Sequence, residues 1–136
     1  MKHIKQKHKY GCAVACLAML TDVSYEGALN YLYPKRKYRS KVAAIKQLET
    51  VKTLIELGFN PKVLYPDNLL SIKTKALLVI KGSPGYTHAV VWDPKSKMVL
   101  DPAISHFSYI KELNIKDIKK YNDYYKKNLC YALRIK

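Results

Sequence analysis

Hydrophobic positions along this chain change their period once, near residue 60. Before that point they recur at helical spacing. Residues 13–20 (Ala-Val-Ala-Cys-Leu-Ala-Met-Leu) carry no charge and almost no polarity. A helix that is apolar on every side is a buried one, so this stretch predicts the central helix of the domain, with Cys12 at its N-terminus. Ser24 is placed to cap a short helix over 25–33, with Ala28, Leu29 and Leu32 on its inner face and Pro34 ending it. Over residues 41–57, Ala44, Ile45, Leu48, Val51, Leu54 and Ile55 fall at the three- and four-residue intervals of one helix face. Gly58 follows as the stop.

Beyond residue 60 the apolar runs have strand length. Residues 61–65 predict a short strand at a sheet edge, and 69–72 a brief helical turn. Further strands are predicted over 76–80, 86–92 and 97–101, with turns at Gly82-Ser83-Pro84-Gly85 and Asp93-Pro94-Lys95-Ser96. Asn114 can cap a helix over 115–121. The end of the chain predicts a last strand in which Leu129, Tyr131, Leu133 and Ile135 share one face. Helices first and antiparallel strands afterwards make an α+β fold, N-terminal helices packed on a mostly antiparallel sheet. At 136 residues the chain is expected to form a single domain over 1–136.

Charge adds a constraint. Of 25 basic residues only Arg36, Arg39 and Arg134 are arginines, and the formal net charge is +15. That balance admits nucleic acid, an anionic membrane surface or an acidic partner. The lysines are spread along the chain, and the one dense run is residues 35–41, so solvated surface is the favoured reading over a polyanion site. The basic lead-in followed by an apolar stretch imitates a secretory signal, but no small-residue cleavage site follows. The apolar run is also far shorter than the ~20 residues of a membrane span. A cytoplasmic protein is the expectation. Cys12, Cys16 and Cys130 make no disulfide framework, in keeping with a reducing compartment. Nor do Cys12, Cys16 and a histidine form the Cys-x-x-Cys pairs of structural zinc, so neither metal nor organic cofactor is expected.

A cysteine at a helix N-terminus has a lowered thiol pKa, and as a nucleophile it needs a base and an orienting group. Of four histidines, His3 and His8 lie in the lead-in, His106 follows Pro102, and His88 alone lies within a strong strand. If Asp93–Ser96 is the hairpin loop, Trp92 faces Lys97, Val90 faces Val99 and His88 falls opposite Asp101, within cross-strand reach. The opposite face of that hairpin is then apolar, with Ala89 beside Leu100 and Val91 beside Met98. Cys12 as nucleophile, His88 as base and Asp101 as orienter follow. The amide of Gln6 and the Cys12 N–H can serve as oxyanion hole. Tyr10, Gly11, Tyr86 and Thr87 flank these groups and are candidates for a substrate cleft. Cys16 and Cys130 are read as packing.

Gln6, the run Gly11 to Leu20, Thr87-His88-Ala89-Val90-Val91 and Leu100-Asp101-Pro102 together resemble the papain-like cysteine peptidase domains of bacteriocin-exporting ABC transporters. The resemblance covers the chain from Gln6 to about Ile135. It implies a papain-like fold, the roles already given to Gln6, Cys12, His88 and Asp101, and cleavage of a peptide or protein substrate after a Gly-Gly pair. The residues leave open deamidation, acyl transfer or removal of ubiquitin-like tails by the same triad. They equally leave open a catalytically silent basic binding module, and they are silent on oligomeric state.

Overall fold

A computed structural model describes residues 1–7, 11–32, 47–66, 69–81, 87–102 and 129–135. Helix α1 (Cys12–Thr21) is the uniformly apolar stretch, and each residue from Ala13 to Leu20 is buried. It ends where Asp22 takes the left-handed conformation, φ 60°. Helix α2 (Tyr25–Leu32) starts as expected: Ser24 Oγ accepts the Gly27 N–H at 2.9 Å, an N-cap bond. Ala28 and Leu29 are buried and Leu32 packs against the core.

Helix α3 (Gln47–Glu56) is the described part of the helix expected over 41–57. Its inner stripe includes Val51 and Leu54 as expected, but not Ile55. Ile55 is 58 % exposed, whereas Thr50, Thr53 and Leu54 are buried and Val51 and Leu57 pack against the core. Two threonines that the expected stripe left out are thus buried. The Thr53 hydroxyl donates to Glu49 O at 2.9 Å, which satisfies its polar group locally and allows burial. Phe59 N–H donates to Leu54 O at 2.9 Å and Gly58 N–H to Ile55 O at 3.0 Å, the paired bonds of a Schellman end.

Strands β1 (Lys62–Leu64), β2 (Ala76–Lys81), β3 (Thr87–Asp93), β4 (Met98–Leu100) and β5 (Leu129–Arg134) form one antiparallel sheet in the order β1-β5-β2-β3-β4. A 3₁₀ turn, Leu69–Ser71, precedes β2. Both sheet faces are buried. Leu77, Val79, Ala89, Val91, Leu100 and Leu133 meet the helices, while Ala76, Leu78, Val90, Trp92, Val99 and Ala132 pack with Leu69 and Ile72. Trp92 Nε1–H donates to Ile72 O at 2.9 Å, so the indole is buried with its polar atom paired. The expected single face for Leu129, Tyr131, Leu133 and Ile135 holds only from Tyr131 onward. The β2–β5 register shifts between Val79 and Ile80, so Ile80 pairs with Leu129 while Val79 pairs with Tyr131. That irregularity carries Leu129 to the opposite face.

The β3–β4 register also differs from expectation. Asp93 is the last residue of β3, not the first of the loop, and pairs with Met98. Its buried carboxylate folds over the turn, accepting from Lys95 N–H at 3.1 Å and from the Ser96 hydroxyl at 2.8 Å. The four-residue loop therefore begins one position later, and the pairing moves by two: Val91 faces Leu100 and Trp92 faces Val99. A shift of two keeps every side chain on its expected face. The expected helix over 115–121, the basic run 35–41 and the turn at 82–85 lie outside the described residues.

Gly58 has φ +90°, and the space a Cβ would occupy there is open, with nothing within 4 Å, so its constraint is the backbone alone. Gly58→Ala is expected to lower the unfolding free energy by roughly 1–2 kcal/mol, the cost of left-handed backbone for a residue with a side chain. Urea denaturation at unchanged m-value would show it.

Candidate active site

The N-terminus of α1 brings Cys12 to the start of β3. Gly11 occupies the N-cap with no side-chain cap bond, leaving the first-turn N–H groups unclaimed by a capping side chain. The Cys12 sulfur is hydrogen-bonded by the His88 side chain and by the backbone N–H groups of Ala13 and Ala89. Burial pushes the thiol pKa up. The His88 hydrogen bond, the His88 charge and the two backbone donors outweigh it, so the thiol lies below its ordinary value.

His88 is the link between two partners. Its Nε2–H donates to Asp101 Oδ1 at 2.8 Å, and the same side chain hydrogen-bonds the Cys12 sulfur. Burial alone would lower the imidazole pKa. The Asp101 and Cys12 hydrogen bonds and charges reverse this and raise it to about 9. His88 is 13 % exposed and Asp101 fully buried, 0 %. A carboxylate so enclosed is stable as an anion only when paired and hydrogen-bonded, and the imidazolium provides that partner. The expected face-to-face placement of His88 and Asp101 does not occur. His88 pairs across to Ile80 of β2, and Asp101 lies just past the end of β4. Continued one pair beyond the Val91–Leu100 end of the ladder, the displaced register would set Asp101 diagonal to His88, a separation that an imidazole and a carboxylate can bridge.

Gln6 reaches this group through the backbone: its N–H donates to Pro102 O at 2.9 Å, and its Oε1 is buried. His3 joins the same corner, with Nε2 2.6 Å from Asp101 O. By sequence alone His3 belongs to an undifferentiated basic lead-in. No sequence signal marks it: residue 3 shares the parity of exposed Lys5 and Lys7, yet it is partly buried beside Ile4. Among the cleft candidates, Gly11 is buried, Thr87 is exposed one residue before His88, and Tyr10 and Tyr86 lie outside the described residues. Cys16 is fully buried, and burial together with the charges of Cys12 and Asp101 holds its thiol well above the ordinary value. It packs in the helix-side core. Cys130 is a free, half-buried thiol against the helix-side core.

No protein-family model matches this chain, and no curated protein matches it by sequence. Solved structures do match. The peptidase domain of Streptococcus ComA, a bi-functional ABC transporter involved in a quorum-sensing pathway, superposes with a TM-score of 0.67 at 16 % identity. The match covers 98 % of this chain and 96 % of that one. A double glycine motif protease from an AMS/PCAT transporter, solved in complex with the leader peptide, gives 0.63 at 16 % identity, covering 98 % and 89 %. The chain has the peptidase-domain fold. The α+β, papain-like architecture expected from the sequence is therefore found in the structure. No single helix among the described residues is long and apolar enough to cross a membrane.

The balance of forces on Cys12 has a direct test in its alkylation by iodoacetamide as a function of pH. The native protein is expected to titrate below an ordinary thiol. In His88→Ala the pKa should not merely return to the ordinary value but rise above it, because burial persists once the compensating imidazolium is gone. A pKa unchanged by His88→Ala would break the assigned pairing.

Proposed function

We propose that this protein is a cysteine peptidase that hydrolyses a peptide bond through a Cys12–His88–Asp101 triad. The observation that carries the reading is the connected order of hydrogen bonds from a cysteine at a helix N-terminus, through one imidazole, to a buried carboxylate. The peptidase-domain fold of the similar structures supports it.

The directions of the two pKa shifts favour a resting thiolate–imidazolium pair, already ionised before substrate arrives. The Cys12 thiolate attacks the scissile carbonyl carbon, and the carbonyl π pair moves onto oxygen. The Gln6 side-chain N–H and the Cys12 backbone N–H would stabilise that oxyanion. As the C–N bond breaks, the His88 imidazolium gives its proton to the leaving amine, and the acyl group stays on sulfur. Neutral His88 then takes a proton from water, whose oxygen attacks the thioester. Collapse of that second adduct expels Cys12 sulfur and releases the acid. Asp101 holds the ring throughout and stabilises its cationic form. For the substrate, a bond following a Gly-Gly pair is the favoured choice. One of the similar structures is a double glycine motif protease bound to the leader peptide, and the pattern of residues around Gln6, Cys12, His88 and Asp101 resembles such domains.

The test is cleavage of a synthetic peptide with a central Gly-Gly pair, followed by mass spectrometry beside a Gly-Gly-free control. Native protein should cut after the second glycine and Cys12→Ala should not. Gln6→Ala should lose about 10²–10³ in kcat, the usual effect of removing one oxyanion donor. Cutting that survives in Cys12→Ala would overturn the proposal.

Hydrolysis and alkylation should also part company at high pH. Hydrolysis needs the imidazolium as acid, so it should fall as pH rises through about 9, where His88 loses its proton. Alkylation needs only the thiolate and should hold its plateau there. Asp101→Ala removes the largest group raising the His88 pKa and should move the descending limb to lower pH.

A further inference from the structure

The lead-in segment meets the Asp101–Pro102 corner at two points, although His3 and Asp101 stand 98 residues apart in the chain. His3 Nε2–H donates to Asp101 O at 2.6 Å, and Gln6 N–H donates to Pro102 O at 2.9 Å. Between these anchors Ile4 packs against the helix-side core, while Lys5 is exposed. Pro102 has no N–H, so its backbone can be held only by a donor aimed at its carbonyl. The lead-in offers one donor to each of the corner's two carbonyls.

The Gln6 N–H bond and the packed Ile4 side chain hold the segment to the corner but leave its backbone free to turn about the line between them. A second anchor three residues earlier sets its direction, and with it the line on which the Gln6 side chain leaves the backbone. Asp101 is thereby gripped at both ends, its carboxylate by His88 and its carbonyl by His3. We infer that His3 is a positioning residue: its imidazole clamps the lead-in to the Asp101–Pro102 corner and so fixes the Gln6 amide for the developing oxyanion. The inference rests on the roles proposed above for Gln6 and Cys12.

What the clamp needs from residue 3 is an N–H donor at the reach of Nε2. A glutamine supplies one; a leucine fills similar space and supplies none. Two probes separate the oxyanion hole from the nucleophile. Iodoacetamide alkylates sulfur and builds no oxyanion. N-acetyl-glycyl-glycinal forms a hemithioacetal: the S–C bond forms, the aldehyde π pair moves to oxygen, and the imidazolium proton neutralises it.

The experiment measures both probes on the full chain and its variants. In His3→Leu the alkylation rate should stay within about twofold of native, while the dissociation constant for the aldehyde rises about 10-fold, less than the ~10²–10³ of losing the donor outright. His3→Gln should restore binding to within about threefold. Native-like aldehyde binding in His3→Leu overturns the clamp. So does an equal loss in alkylation, because the histidine would then be acting on the thiolate pair. Failure of the underlying reading looks different. If Gln6→Ala binds the aldehyde as tightly as native, or Cys12→Ala still binds it, then the oxyanion hole or the nucleophile is wrong, and the clamp falls with it.

Discussion

The structure depends on a helix that has no face to show to water. Each residue of α1 from Ala13 to Leu20 is buried, and burying an apolar side chain of this kind contributes about 1.5–3 kcal/mol apiece for the larger ones. Such a helix must be enclosed on all sides, and the enclosure is supplied by β3 on one flank and by α2 and α3 on others. Its backbone N-terminus is the one end that chemistry can use. Cys12, the first residue of the helix, is therefore both the edge of the core and the head of the site. The neighbouring core positions are rigidly packed, which holds the sulfur against His88 without any bond having to be strong.

The site is an exchange of burial costs among three groups. Cys12 and His88 would each be neutralised by burial if alone, the thiol by a raised pKa and the imidazole by a lowered one. Paired, the His88 hydrogen bond and charge lower the thiol pKa, while fully buried Asp101 first and Cys12 second raise that of the imidazole. Removing any one member should leave the remaining two worse placed than in water. That coupling explains why the expected His88→Ala thiol overshoots the ordinary value. Cys16, one turn along α1 and facing no such partner, shows the uncompensated case within the same helix.

Charge takes a subordinate place. Every lysine among the described residues is exposed, as expected of a solvated surface, and Lys7 lies over the Tyr25 ring at 5.6 Å, where the cation also covers apolar surface. The lead-in is basic on its exposed positions and committed to the site through its others. One segment thus serves solubility through its lysines and geometry through His3, Ile4 and Gln6.

Much of this was legible in local sequence because it follows from local physics. An uncharged run of helical length reads as a buried helix. Ser24 before α2 and Gly58 after α3 are read from the capping bonds they make, and β2 and β3 from apolar runs of strand length. The faces of β3 and β4 were also legible, since faces depend on parity. Register was not. It turned on whether Asp93 ends the strand or begins the loop, which is decided by its carboxylate closing over Lys95 and Ser96. The inner stripe of α3 likewise depended on what packs against it, and favoured Thr53 over Ile55 because a threonine can satisfy its hydroxyl on its own helix. Which residue types are available for the chemistry, and in what order, is already written along the chain. That His88 and Asp101 come together was legible from the hairpin, though not their register; that His3 meets the Asp101 carbonyl came from packing alone, because a contact between residues 98 apart leaves no periodic trace in the sequence.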